Sequence, residues 1–166
     1  MKEQNDECCP VFDVEKWDRK KFEWENKLFI KESMSTCFHI PFPPTIGKKV
    51  MKMHKMATEA GVTIPDKSEA LILYRDPSAF KSEIYYSVTG KVENAEADNT
   101  TISGSFVSCV FDGPYNSVPK FIKEMEKYLS ESGQTARDYY VHYAYCPKCA
   151  KERKHNYMIL FALVNG

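Results

Sequence analysis

The chain has no excess charge of either sign: its 166 residues carry 23 basic and 23 acidic side chains, for a formal net charge of zero and a sequence pI near 6.9. Without a global basic field there is little to attract phosphate backbones or anionic bilayers, so neither nucleic acid nor a membrane is the expected partner. The chain also lacks any run approaching the roughly 20 apolar residues that cross a bilayer. Its opening MKEQNDECCP has neither the apolar core nor the flanks of a signal peptide, which makes the cytoplasm the expected location. Glycine-rich phosphate loops, nucleophile elbows and paired-carboxylate motifs are missing, and His39, His54, His142 and His155 show no metal-ligand spacing with one another. The familiar catalytic signatures are therefore absent, and an enzyme is not the first expectation.

What the chain does have is rings. Ten Tyr, ten Phe and two Trp make 13% of the residues, more than a small core needs, within a 43% hydrophobic and 28% charged composition that folds rather than stays disordered. The length suits one domain. Two segments have helical periodicity. Ile46, Val50, Met53, Ala57 and Ala60 predict a helix from about Thr45 to Ala60, stopped by Gly61. Val118, Phe121, Ile122, Met125 and Leu129 predict a second, capped by Asn116 or Ser117, with Pro119 in its first turn and Gly133 at its end. Strands are expected at Met34 to Ile40, Ala70 to Tyr74 (stopped by Asp76-Pro77), Glu83 to Val88, Phe106 to Phe111, Tyr139 to Tyr145 and Tyr157 to Val164.

The order strand, helix, strand, strand thus occurs twice, offset by about 70 residues, and a duplication is the economical reading. The expected fold is α+β: two tandem β-α-β-β repeats (about 34–92 and 104–165) with pseudo-two-fold symmetry. An antiparallel sheet would carry helices on one face and a ligand groove on the other. Residues 1–30 form an N-terminal arm and 31–166 the domain. Aromatic residues on the open face suit flat or cationic organic molecules through stacking and cation–π attraction. Tyr85, Tyr115, Tyr139, Tyr143, Tyr145 and, from the arm, Trp24 are the candidate ligand-binding residues, although half of any strand stripe packs beneath helices. Strand alternation alone does not say whether Tyr85 or Tyr86 faces the groove.

Two local motifs, Phe111-Asp112-Gly113-Pro114-Tyr115 running directly into the second helix and Leu73-Tyr74-Arg75-Asp76-Pro77 closing the matching strand, resemble the GyrI-like small-molecule-binding domains. These are related to the effector-binding domains of multidrug-responsive transcription regulators. In the turn, Gly113 is expected to adopt a backbone conformation closed to other residues and Pro114 to aim Tyr115 over the groove. The resemblance implies binding of amphipathic, aromatic or cationic drugs and toxins, and in one subfamily hydrolysis of strained cyclopropane-containing genotoxins in an aromatic cage. Many such domains carry a pocket glutamate where this chain has Val141, which weakens both a cation counter-charge and a water-activating base. Glu83 is the candidate to replace it. The reading is a stand-alone binding protein, monomeric or homodimeric, that sequesters or senses a xenobiotic; the alternative is a hydrolase for strained or electrophilic aromatic toxins.

Six cysteines remain: Cys8, Cys9, Cys37, Cys109, Cys146 and Cys149. Without an export signal, thiols or a metal site are expected rather than disulfides. Cys146-Pro147-Lys148-Cys149 is a knuckle of the kind that holds zinc, and Cys8-Cys9 would complete four thiolates, pinning the arm to the last hairpin. No cofactor is required by this reading, and a structural zinc is one of three open accounts of the thiols. A redox pair is disfavoured because no helix is expected after Cys146 to lower its pKa; two unrelated thiol pairs are the third. The basic stretch Lys148 to Lys154 is read as a solvated loop.

Overall fold

The computed structural model describes residues 9–37, 40–41, 43–78 and 80–164. Along the chain the elements are α1 (Val14–Trp17), β1 (Lys20–Cys37), β2 (Ile40–Pro41), α2 (Pro43–Glu59), β3 (Ile72–Ser78) and β4 (Lys81–Ser87). There follow β5 (Asp98–Asp112), α3 (Val118–Glu131), β6 (Ala136–Tyr143), α4 (Pro147–Arg153) and β7 (Tyr157–Val164). They gather into two compact units, a middle one of Trp24–Ser103 and a terminal one of Met1–Glu23 with Gly104–Gly166. The architecture is α+β with antiparallel strand pairing in both.

In the middle unit the strand order is β2-β1-β4-β3. Because side chains alternate across a strand, Ile30 and Met34 of β1 and Ile84 of β4 face one way. There they meet the α2 stripe of Met53, Met56 and Ala57, with Val88 and Val92 completing the buried core. Each such side chain contributes about 1.5–3 kcal/mol on leaving water. Met53 and Ala57 belong to the stripe expected from the sequence, with Ile46 and Val50 at its margin, whereas Met56 joins it and Ala60 is exposed past the helix end; α2 ends as expected, Gly61 taking φ +70° and allowing Val62 N–H to reach the Ala57 carbonyl and Gly61 N–H that of Thr58. Tyr86, on the same sheet face, pairs its hydroxyl with His54 Nδ1 at 2.6 Å.

In the terminal unit β7 lies between β6 and β5. Met158, Leu160, Ala162 and Val164 of β7, with Val107, Cys109 and Val141, bury against Phe121, Met125 and Leu129 of α3. The opposite face is covered as well. Trp17, at the end of α1, sets its ring edge-on to Phe161 at 5.9 Å and against Phe22 at 5.5 Å. Its carbonyl accepts the Ser108 hydroxyl, while the Asp18 carboxylate accepts Val110 N–H at 2.9 Å.

One open alternative is resolved and three local expectations are corrected. Of the two readings of residues 20–30, an added strand or an arm, the strand holds: they form the start of β1, as the alternation of Phe22 and Trp24 with Glu23 and Glu25 suggests. β3 does not stop at Asp76-Pro77 but runs to Ser78 through a register shift, where a proline's missing N–H costs no ladder bond. β5 begins at Asp98, inside the polar connection. The basic stretch read as a loop is α4, closed by Lys154 at φ +59°. Cys8, Phe38 and His39 lie outside the described residues.

Candidate functional site

On the face of the middle sheet opposite α2, side chains from three strands make a continuous row. Trp24 lies 6.3 Å from Phe29, and Phe29 sits edge-on to Tyr85 at 6.1 Å. The Tyr85 hydroxyl donates to Glu83 Oε1 at 2.9 Å. Trp24 and Phe29 stand five residues apart in β1, and between them Asn26 takes φ +51°, a break in regular strand geometry. Its N–H is held by Ser103 Oγ at 2.8 Å.

Glu83 is the charged end of the row. Its side chain is only 6% exposed, yet it receives Arg75 Nη1 on Oε1 at 2.8 Å and Lys31 Nζ on Oε2 at 2.9 Å. The register accounts for this: Arg75 pairs with Glu83 across β3 and β4, and Lys31 stands opposite Tyr85 across β1 and β4, its ammonium 5.8 Å from that ring. Burial pushes the Glu83 carboxyl up, but the hydrogen bonds from Lys31, Tyr85 and Arg75 outweigh it and hold the group below its ordinary range. It is ionised at neutral pH. Two cations already match the one carboxylate, and a carboxylate that three donors stabilise is a weak base. Phe29 and Tyr85 are buried, whereas Trp24 is half-buried and Lys31 and Arg75 keep 27% and 28% of their side chains exposed, making these three the accessible rim.

The candidate residues of the terminal unit take different positions. Tyr139 and Tyr143 share the face of Val141, and that face packs against α3. The residues on the other face of β6 are Tyr140, whose ring meets Phe106 at 6.0 Å, and His142. The alternation was readable, but which face a helix covers was not. Among the described residues the Tyr139 hydroxyl is buried without a hydrogen-bond partner, and burial, followed by the nearby Glu126 charge, pushes its pKa up to about 12. Removing it should relieve an unmet polar group: Tyr139→Phe is expected to be neutral or stabilising by up to about 1 kcal/mol in chemical denaturation. Tyr115, 47% exposed, stands edge-on over Tyr143 at 5.0 Å.

The turn before α3 is built differently from expectation. Gly113 has no left-handed backbone; a Cβ there would lie 2.8 Å from the Phe121 ring, so close approach excludes a side chain. Asp112 fixes the turn by accepting Asn156 N–H on Oδ1 at 2.8 Å and pairing His155 Nδ1 with Oδ2 at 2.8 Å, while Asn156 Nδ2 donates to the Gly113 carbonyl.

Tyr145 belongs to a third group. It is buried with Cys9 and Cys149, packed by Phe12, Ala150 and Tyr157. Its hydroxyl accepts Phe12 N–H at 3.1 Å, and the Arg153 guanidinium lies 4.8 Å over its ring while donating to the Cys9 carbonyl at 2.9 Å. The Sγ atoms of Cys9, Cys146 and Cys149 all lie within 4.8 Å of one another. Cys146 caps α4, so the ground on which a redox pair was disfavoured, the absence of a following helix, is overturned. Three of the four thiols singled out in the sequence thus lie together, the fourth, Cys8, being outside the described residues, and Tyr145 packs against them as a wall rather than as a ligand-facing ring.

The fold that positions these groups is that of the GyrI-like domains. The C-terminal domain of EcmrR superposes with a TM-score of 0.68 at 13% identity, over 90% of this chain and 98% of that one. A hydrolase from Listeria innocua gives 0.62 at 13% identity, over 89% and 92%. SAV2435, solved bound to tetraphenylphosphonium, gives 0.54 at 12% identity, over 90% and 94%. By sequence the chain belongs to the bacterial hydrolase family, whose profile matches residues 1–164. Among curated proteins no sequence match is found. Among the described residues no helix is long and apolar enough to cross a membrane.

Proposed function

We propose that the protein binds a small amphipathic aromatic molecule at the row running from Trp24 through Phe29 and Tyr85 to Glu83. The ligand enters over the rim of Trp24, Lys31 and Arg75. The observation that carries this reading is the buried, ionised Glu83 bridging Lys31, Arg75 and Tyr85 beside three aromatic rings. Core strands rarely keep such a cluster, and an aromatic surface ending in fixed polar groups is how small-molecule sites orient what they hold. SAV2435, bound to an aromatic cation, and the EcmrR domain lend support from the same fold. The local charge differs from what a cation wants. With Glu83 already matched by two cations, the row suits a neutral aromatic ligand, or one bearing an acceptor or an anionic group toward Lys31 and Arg75, better than a quaternary cation. In this reading the two β-α-β-β units are copies of one module, and the role is to sequester or sense a xenobiotic in the cytoplasm.

A Trp17→Phe variant leaves Trp24 as the sole tryptophan, so its fluorescence reports the rim. A ligand of the expected class should quench it and raise the melting temperature in step with RT ln(1 + [L]/Kd), with Tyr85→Ala weakening binding tenfold or more. A panel of neutral, anionic and cationic planar aromatics that neither quenches Trp24 nor stabilises the protein would sink the proposal.

Hydrolysis is the second reading, favoured by membership of the bacterial hydrolase family. Glu83 would there orient water or stabilise a developing positive charge, since its lowered pKa suits electrostatics better than proton abstraction. Consumption of a strained or electrophilic aromatic substrate, lost in Glu83→Gln with binding retained, would favour it.

A further inference from the structure

We propose that Cys9, Cys146 and Cys149 form a zinc site that fastens the N-terminal segment to α4, independent of the ligand row in the middle unit. Three sulfurs already lie within 4.8 Å of one another, and four-coordinate zinc with its bonds of about 2.3 Å sets sulfurs about 3.8 Å apart, so the metal asks only for a small contraction. Two of the thiols come from one knuckle, Cys146 capping α4 and Cys149 in its first turn, while the third arrives from 137 residues away. Such a union of a local pair with a distant ligand gains, as a metal cross-link, a restraint that the packing of three thiols does not supply.

The surroundings fit a thiolate cluster. Cys9 and Cys149 are buried, against Phe12, Tyr145, Ala150 and Tyr157, which keep water from competing for the metal. The Cys146 N–H points at Cys9 Sγ over 3.2 Å, the kind of donor that stabilises a metal-bound sulfur. Arg153, tied to the Cys9 carbonyl, supplies positive charge beside a site in which three thiolates and one Zn²⁺ sum to minus one. On binding, each thiol releases its proton to solvent as its sulfur takes up the metal, with no change of oxidation state; a fourth donor outside these three completes the tetrahedron. Soft sulfur ligands select zinc over magnesium or calcium. A disulfide is the competing chemistry, and it would use two of the three sulfurs and strand the other.

The test is metal analysis of the full-length protein purified under reducing conditions without chelator. About one equivalent of zinc is expected, falling to background in Cys149→Ser and Cys9→Ser but kept in Cys109→Ser, whose thiol lies in the α3 core. Because a serine variant could lose metal by misfolding, the wild-type protein is also stripped and titrated with Co²⁺. Intense thiolate-to-cobalt charge-transfer absorption that saturates near one equivalent and is displaced by zinc supports the site. A metal-free protein that takes up neither ion, or a Cys9 disulfide found by mass spectrometry in freshly purified protein, overturns it.

Discussion

Glu83→Gln is expected to destabilise the protein by about 2 kcal/mol, within a range of about 1–3, as measured by urea denaturation at pH 7. Breaking a buried ion pair by removing one partner typically costs 3–5 kcal/mol. Here Lys31 and Arg75 retain 27% and 28% exposure and can turn to water, so the full penalty is not reached. The pH dependence gives a sharper signature. The folded Glu83 carboxyl titrates below its ordinary 4.5, so its contribution is fully present above that value and is lost as pH falls through the folded pKa. The wild type should therefore shed stability below about pH 4.5 more steeply than Glu83→Gln, and the two curves should converge in acid. Parallel curves would mean that the carboxylate is not held by Lys31, Tyr85 and Arg75 in solution.

A larger loss, about 3–5 kcal/mol, is expected for Trp17→Ala. Trp17 is 5% exposed, its ring meets Phe22 and Phe161, and its carbonyl fixes Ser108. Truncation removes a large apolar surface and leaves a cavity over β7. Trp17→Phe keeps most of the contact and should cost under about 2 kcal/mol, which is why it serves as the background for fluorescence. Thermal or urea unfolding of the two variants checks both values. Equal and small losses would show that α1 only rests on the sheet.

The parts of this fold that could be read from the chain are those whose cause is local. The stripes of α2 and α3, and the turns at Gly61 and Gly133, follow from 3.6-residue spacing and from glycine's access to positive φ, and both helices lie within two residues of expectation at each end described. β7, with its apolar run from Tyr157 to Val164, was equally plain. What the chain concealed depends on contacts made at a distance. Whether Tyr139 or Tyr140 faces α3 is decided by the pairing of β6 with β7, where Tyr139 stands opposite Ala162 of the α3 core, and alternation is silent on that. α4 was missed because seven mostly charged residues carry no apolar stripe; its inward residue is a cysteine. In the candidate row, Tyr85, Glu83 and Trp24 were singled out, but Phe29, Lys31 and Arg75 were not. Arg75 stood inside the Leu73 to Pro77 motif, and only the cross-strand register brings its guanidinium to Glu83.

The packing of Ile84 beneath α2 governs how faithfully that row is assembled. Two neighbouring tyrosines could trade places if β4 slid by one position, and the phenol meant for the carboxylate would end up under the helix. Only one alignment keeps Ile84 buried with Ile30, Met53 and Ala57 against α2, so the helix acts as a proofreader for the strand beneath it. An error there would be penalised on the α2 side of the sheet, which leaves the other side free to vary in chemistry without losing its alignment.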